Sequence, residues 1–518
     1  MEFLKLLCNL YIIALTAVLP LYTGGSYSQL GDSKYILFRN LSFLCLGLWL
    51  AASLAERLSG RRTEPAGPEA EDKTSGSGEP RFGGKLPGFS SMDICMLLYG
   101  GGVLLSACFS RYGETAWFGY TEWYMGAISQ LLFVGIYFFV SRRFGGEGYP
   151  LYGWIAAFFL VTVLGILHRF GFDPSGLMEP FNSGDWEYSH MLSTIGNINW
   201  FCGYYSVALA LPLGGYLKAD KPWKRGLLYP VSLAGLFLLF IQGSDMGLVI
   251  LAAGLLACLI WGIREAAVFR RTLALAGGLF FLIPAYGALG TSMGQEVIKA
   301  LPADSIGWNV MNLRVWVPAG TACLLLWLFL RRLEGHGTEK LRRNLRLGLT
   351  GTLLAAAAAG AILVLADFSP DEMWGSGRGA LWRLSVRGFL RSSPLQKLVG
   401  AGPDCFAEYI YTVFSGEELS FLTGRWAGAI FANAHNEWLN HLINLGIMGT
   451  GCYLAIFVCG IRRYRRLLPG ILALVMYGVA SLTGFQQCLS TPLLFLMLGI
   501  CENRIRGEKQ HEMGKVQN

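Results

Sequence analysis

Long hydrophobic runs, separated by short polar intervals, recur along almost the whole chain. The runs are continuous rather than alternating, and most have about the 18–22 residues that a helix needs to cross a bilayer. The pattern predicts an all-α fold, a polytopic bundle of about 12–14 transmembrane helices. The fourteen predicted spans are 3–22, 36–55, 91–109, 123–141, 151–167, 193–216, 227–243, 245–262, 272–290, 316–330, 346–366, 439–460, 470–484 and 487–501.

Two polar stretches are too long to be simple connections between helices. Segment 59–90 is rich in glycine, proline, serine and charged residues, which predicts a disordered cytoplasmic loop. Segment 367–438 is long enough to fold over the membrane surface, and we expect short helices in it. The predicted division is therefore eleven helices over 1–366, a large external loop over 367–438, and the last helices with a basic tail over 439–518.

Composition and charge agree with a membrane protein. Of the residues, 53% are hydrophobic and 15% are charged, whereas about a quarter are charged in soluble domains. Lysine and arginine indicate orientation because they favour the cytoplasmic side of a membrane. With both termini in the cytoplasm, thirty of the 42 fall on that side. The net charge of +8 is therefore mostly a topology signal and does not indicate nucleic-acid binding.

Part of the external loop carries an unusual group of arginines. The segment from Gly377 to Arg391 predicts a short amphipathic helix, in which Arg383, Arg387 and Arg391 recur every four residues and share one face. Arginines on the external side are unusual, because lysine and arginine favour the cytoplasmic side of a membrane. A lipid-linked diphosphate would explain them, because guanidinium groups match phosphate oxygens bidentately. Anionic lipid headgroups are the alternative partner.

A histidine, His435, stands just before the apolar run that begins near Leu439. Its imidazole can exchange a proton near neutral pH, which makes it a candidate general base at a membrane–water boundary. A structural hydrogen-bonding role is the alternative. Asn436 and Glu437 follow it and either orient the histidine or cap the helix. His441, further along the helix, is expected to pack or to join a polar network.

Two stretches resemble the O-antigen ligase/polymerase superfamily of bacterial membrane glycosyltransferases. The first begins with Arg378 and Trp382 in an Arg-x-x-x-Trp pattern and ends in Ala-His-Asn-Glu-Trp-Leu before a helix. The second is a Gly-Asn-x-Asn sequence that contains Asn197 and Asn199. The chain departs from the family at Asp245, where many members have an arginine after a serine. This departure leaves the identity of the donor open.

The resemblance implies transfer of a glycan from an undecaprenyl-diphosphate carrier to an acceptor hydroxyl on a glycan, lipid or protein. The reaction would occur on the outer face of the bacterial cytoplasmic (inner) membrane, with inversion and without a cofactor. His435 would act as the base, and the arginines would hold the diphosphate of the donor. The first external loop (23–35) has one acid, Asp32, and so lacks the paired carboxylates that would hold a metal. The supporting residues would be Asn436, Glu437, Trp382, Asn197, Asn199 and Asp245.

Several functions fit this pattern. Both a ligase and a polymerase of the same superfamily agree with the sequence. A polysaccharide transporter or flippase is a rival of another class, which would require charged residues deep in the bundle and related halves. Because the unexplained charges lie in one external loop and no internal repeat is evident, the sequence favours glycan transfer.

Overall fold

The chain is helical almost throughout in the computed structural model, which describes residues 2–60, 88–182, 185–293, 310, 313–334, 338–366, 374–425 and 430–517. In these residues, nine helices are long and apolar enough to cross a membrane. The predicted all-α, multi-helix membrane protein is confirmed at this level. Most of the predicted disordered loop (59–90) lies outside the described residues.

The helices of the bundle match the hydrophobic runs. In chain order they are α1 (Glu2–Ile13, continued by the π-helical Ala14–Val18 and by Leu19–Leu21), α2 (Leu30–Gly60, after the 3₁₀ turn Tyr27–Gln29), α3 (Ser91–Phe109), α4 (Gly113–Phe118), α5 (Ala127–Arg143), α6 (Tyr149–Arg169), α7 (Trp186–His190), α8 (Ile198–Ala208), α9 (Ala210–Lys218), α10 (Pro222–Ile241), α11 (Asp245–Arg264), α12 (Ala266–Met293), α13 (Trp316–Arg332) and α14 (Glu339–Ala366). Each of the fourteen predicted spans overlaps at least one helix, but in five of them the helix is too short, split or too charged to count among the nine.

The predicted external loop contains a 3₁₀ turn (Trp374–Gly377) and four short helices: α15 (Arg378–Arg391), α16 (Pro394–Val399), α17 (Phe406–Val413) and α18 (Gly416–Arg425). Three helices follow it: α19 (Glu437–Arg463), α20 (Leu468–Ala480) and α21 (Thr491–Gln517). The short helices enclose a small hydrophobic core of their own, which includes Leu384, Phe406 and Phe414 and extends to Ala434 and Ile443. This segment is therefore packed as a unit on the start of α19.

A break in α19 joins the short helices to the bundle. Gly446 has a φ of 64°, and the helix is interrupted there. The Ala401 N–H donates to the Ile443 carbonyl (2.9 Å), and the Gly402 N–H donates to the Asn444 carbonyl (3.0 Å). The loop thus satisfies carbonyl groups that the break leaves without helical partners, as a backbone buried in a membrane protein requires.

The far end of α19 is fixed by buried ion pairs. The Asp93 carboxylate, at the start of α3, contacts Arg142 (3.1 Å) and Arg506. The Glu502 carboxylate accepts from Arg463 (2.7 Å) at the end of α19. Because both acids are fully buried, each cation offsets a large desolvation cost. The network therefore ties α3, α5, α19 and α21 together at the end of the bundle opposite Glu437.

Candidate functional site

His435 lies in the turn that leads into α19, and its backbone has a φ of 45°. This left-handed conformation is uncommon for a residue with a side chain and costs on the order of 1–3 kcal/mol. The His435 N–H donates to Asn433 Oδ1 (3.0 Å), and the Ala434 N–H donates to Asn440 Oδ1 (3.3 Å). These bonds fix the backbone from which the imidazole projects.

Asn436 caps α19, which is one of the two roles predicted for it. Its Oδ1 accepts from the Leu439 N–H (3.0 Å), and its Nδ2 donates to the Leu482 carbonyl (2.9 Å). The cap satisfies a helix N–H group that has no helical partner, and the second bond ties the turn to the end of α20. Asn436 therefore holds the residue before it, His435, by fixing the start of the helix.

Glu437 anchors the same helix from inside the bundle. Its N–H donates to the Ser481 carbonyl (2.8 Å), and its buried carboxylate accepts from the hydroxyls of Tyr477 (3.1 Å) and Tyr453. His441 stacks on Tyr453 with ring centroids 4.3 Å apart, and its Nδ1 donates to the Glu437 carbonyl (2.8 Å). The predicted polar-network role of His441 is confirmed.

A series of aromatic contacts links His435 to the Gly-Asn-x-Asn stretch that contains Asn199. The imidazole meets Phe485 edge-on, with centroids 5.4 Å apart at 83°. Phe485 contacts Trp123 (4.7 Å), which contacts Trp200 (6.0 Å) beside Asn199. The imidazole is half-buried, and burial lowers the pKa of His435 to about 4, with a further contribution from Arg378. The ring is therefore neutral near pH 7 and can accept a proton.

Arg378, the first residue of α15, lies close enough to His435 to lower its pKa. Burial lowers the pKa of Arg378 itself, against the effect of the nearby Asp245 carboxylate. Its Nη1 donates to the Gly375 carbonyl (3.1 Å), whereas its buried Nε has no hydrogen-bond partner among the described residues. Trp382, one turn later, is half-buried against the core of the short helices. The guanidinium thus retains donor capacity for an anion.

Asn197, Asn199 and Asp245 meet at two adjacent helix starts. A short hairpin, β1 (Met191–Leu192) with β2 (Gly196–Asn197), leads into α8. Asn197 Oδ1 caps α8 by accepting from the Asn199 N–H (2.8 Å). Asn199 Oδ1 accepts from the Ser244 hydroxyl (2.7 Å), and Ser244 is the N-cap residue of α11, which begins with Asp245. The second stretch is therefore positioned beside the carboxylate that acts on Arg378.

The three regularly spaced arginines lie on an exposed face of α15. Arg387 and Arg391 both pair with Glu418 of α18 (2.9 and 2.7 Å), and Arg391 also lies over the Phe414 ring (4.5 Å). Hydrogen bonds from Arg391 lower the pKa of Glu418 to about 2. Arg383 is exposed. The contacts of Arg387 and Arg391 with Glu418 therefore hold α15 to α18, whereas Arg378 is the arginine that lowers the pKa of His435.

Asp404 is a site residue that sequence reasoning missed. Its buried Oδ2 accepts from the N–H groups of Tyr120 and Met125 (2.8 Å each), which tie the loop before α5 to the short helices. Burial raises the pKa of Asp404 to about 7, although these two bonds lower it. Its only sequence signal is an acid in the Gly-Ala-Gly-Pro-Asp turn, and its partners are distant in the chain.

Asp404 and the loop that it binds have a strained backbone, and a small cavity lies beside Asp404. Glu122, Tyr124 and Asp404 have positive φ angles like that of His435. Together with Ser193 they are the non-glycine residues with positive φ among those that the structure describes. A small polar cavity of about 10 Å³, the size that one water needs, lies between Asp404, Asn433, Asn440 and His441. Strained residues cluster at functional sites, and here Asp404 lines the cavity together with Asn433, two residues before His435.

The sequence matches no protein-family model, and no curated protein matches it. The chemistry of the site must therefore be inferred from its own geometry. No group of three or more His, Cys, Asp or Glu side chains in the described parts of the chain is arranged to hold a metal ion. The site instead combines a neutral imidazole, a half-buried guanidinium with spare donor capacity, and a carboxylate beside that guanidinium. Such a set can bind an anion and remove a proton from a hydroxyl group.

Proposed function

We propose that the protein is a membrane glycosyltransferase of the O-antigen ligase type. It transfers a glycan from an undecaprenyl-diphosphate carrier to an acceptor hydroxyl on the outer face of the cytoplasmic membrane. The observation that carries the proposal is the pairing of His435, which is neutral and held in a strained turn, with the Arg378 guanidinium. The resemblance of the surrounding sequence to that superfamily supplies the substrate class.

The two residues have complementary roles in this reaction. The imidazole accepts the proton of the acceptor hydroxyl as that oxygen attacks the anomeric carbon, and the configuration inverts. The sugar–oxygen bond to the carrier breaks, and the negative charge develops on the departing diphosphate. Arg378 stabilises that charge with the donors that its protein contacts leave available. No metal is required in this scheme, because the guanidinium supplies the counter-charge.

Asp245 fits as a positioning residue for Arg378. The carboxylate lies near the guanidinium and raises its pKa, which keeps it charged in a half-buried place. Where many members of that superfamily have an arginine at this helix start, this chain has an acid that lies near an arginine from another helix. Arg378, near the imidazole, thus supplies the cation that an arginine at the start of α11 would supply in that superfamily.

The charge distribution supports an external site. α11 and α19 both begin at the site, with Asp245 and Glu437, and both end in arginines, Arg264 and Arg463. Since basic residues favour the cytoplasm, the ends that carry Arg264 and Arg463 lie inside and the site lies outside. The short helices α15 to α18 then form an external loop domain on a bundle of about 12–14 transmembrane helices.

Transport is the rival function, and buried charges bear on it. Lys34, Asp93, Arg169 and Glu437 are all buried, as a transporter would require. Each of these four lies within a turn or so of a helix end. The Lys34 ammonium, for example, donates to the Leu19 and Pro20 carbonyls (3.1 and 2.8 Å). Glu502, which is buried within α21, is neutralised by Arg463 (2.7 Å) and Arg506 (3.1 Å), so glycan transfer remains the better proposal.

Reconstitution with a carrier-linked oligosaccharide tests the proposal. Wild-type protein in liposomes should release undecaprenyl diphosphate and glycosylate an added acceptor, whereas His435→Gln should abolish both. His190→Gln is the matched control and should retain transfer, because the His190 ring stacks on Trp186 (4.4 Å) and contacts neither His435 nor Arg378 among the described residues. A ladder of product lengths identifies a polymerase, and one product identifies a ligase. Full transfer by His435→Gln, or movement of the intact lipid without transfer, would overturn the proposal.

A further inference from the structure

A second cavity lies at the opposite end of the bundle, between α3, the end of α19 and α21. Its volume is about 730 Å³, and it is far larger than the cavity beside Asp404. Arg462, Arg463, Arg465 and Arg466 line it, together with a single acid, Glu508. The cavity is therefore strongly positive.

The ion-pair network leaves three of these arginines available. Arg463 is bound by Glu502, which also contacts Arg506 (3.1 Å). Arg462, Arg465 and Arg466 are exposed and form no ion pair with any described residue. Topology alone explains arginines at this end of the protein, but it does not require a cavity between them.

Apart from these charged residues and Ser91, the cavity wall is apolar. Ala455 and Val458 come from the membrane-spanning part of α19, Ile505 comes from α21, and Leu467 follows the arginines. Val458 is 42% exposed, so the apolar wall is open to what surrounds the helices. An occupant must therefore present an anion to the guanidinium groups and hydrocarbon to the helix faces.

We infer that this cavity is a specific binding site for one anionic membrane phospholipid. The phosphodiester of the lipid is held by Arg462, Arg465 and Arg466, and its glycerol and first acyl carbons rest on Ala455 and Val458. Guanidinium groups bind phosphate oxygens in a fork geometry, and basic pockets between membrane helices suit lipid headgroups. The site is separate from His435 and does not depend on the proposed transfer reaction.

Native mass spectrometry of the purified full-length protein in detergent tests the inference. With phosphatidylglycerol added, one lipid should remain bound per protein, and phosphatidylcholine with the same acyl chains should be at least tenfold weaker. The triple variant Arg462→Gln/Arg465→Gln/Arg466→Gln should lose this selectivity. Arg463 is left unchanged because it holds Glu502.

Two further variants separate a site from general surface charge. Arg264→Gln/Arg331→Gln/Arg332→Gln removes three exposed arginines at the same end that do not line the cavity, and it should bind phosphatidylglycerol within twofold of wild type. Ala455→Trp fills the cavity without changing charge and should weaken binding at least tenfold. Glycerophosphoglycerol, the headgroup without acyl chains, should not compete. Equal losses in both triple variants, unchanged binding by Ala455→Trp, or competition by the free headgroup would each overturn the inference.

Discussion

The Arg378 guanidinium lies close enough to His435 to hold the pKa of the imidazole below the value that burial alone would produce. The two residues are 57 positions apart, and the packing of the short helices on α19 brings them together. A neutral base beside a cation suits a reaction in which a proton leaves one group while negative charge forms on another.

Arg378→Gln should shift the pH dependence of transfer as well as weaken it. Loss of the cation raises the pKa of His435, so the acidic limb of the activity profile should move to higher pH. Loss of charge-assisted hydrogen bonds to the diphosphate, about 1.5–3 kcal/mol, should lower kcat/KM by ~10–160-fold. Kinetics from pH 4 to 8 measure both effects. Arg383→Gln, on the exposed face of the same helix, should show neither, and an unmoved acidic limb would contradict the role given to Arg378.

The double variant Arg387→Gln/Arg391→Gln should affect donor use less than Arg378→Gln does. Both arginines already pair with Glu418, so their charge is partly neutralised before any substrate binds. The expected result is a small change in KM for the carrier-linked donor, with a looser contact between α15 and α18. Glu418→Gln is the partner variant, since it breaks the same contact while keeping both cations. A loss of donor binding as large as that of Arg378→Gln would place the diphosphate on this face instead.

His435→Gly and His435→Ala should both be inactive but should differ in stability. Both remove the imidazole, yet alanine keeps the cost of a left-handed backbone, whereas glycine adopts φ near 45° freely. We expect the glycine variant to be more stable by about 1 kcal/mol, measured by thermal unfolding in detergent. Equal stability of the two variants would mean that the turn does not store strain at this residue.

Asp404→Asn should preserve the fold, whereas Asp404→Ala should not. Asparagine can still accept from the Tyr120 and Met125 N–H groups, and alanine leaves both without an acceptor.

Because burial raises the pKa of Asp404 from 3.8 to about 7, the folded protein binds this proton more tightly than the unfolded chain. This group therefore makes stability fall as pH rises from about 4 to about 7, and Asp404→Asn should remove that slope. Unfolding temperatures at pH 5 and pH 8 test it, and equal damage by both variants would contradict the acceptor role.

The hydrophobic runs predicted the helices because the length of an apolar run and its spanning capacity are local properties. Local rules also explain one deviation: predicted span 193–216 begins as a hairpin and then forms two helices, α8 and α9. Pro212 has no N–H to donate to the Ala208 carbonyl, and α8 ends at Ala208. The end was readable from the sequence, although the prediction treated the run as one span.

The site was less predictable because its decisive contacts are long-range. The sequence indicated His435 and the arginines, but it did not distinguish Arg378 from Arg387 and Arg391. That distinction depends on Glu418, which packing brings to the exposed face of α15. The Asp404 contacts with the loop before α5 likewise span more than 270 residues, and no periodicity in the chain records them.

The interruption at Gly446 divides α19 into two parts that are held by different contacts. The first part, from Glu437 to Leu445, is tied to the short helices, because its Ile443 and Asn444 carbonyls accept from the loop backbone. The second part is tied to the bundle, because Arg463 at its far end pairs with Glu502 of α21. The Tyr453 hydroxyl of the second part also donates to the Glu437 carboxylate of the first, so the position of His435 is fixed from both sides of the break.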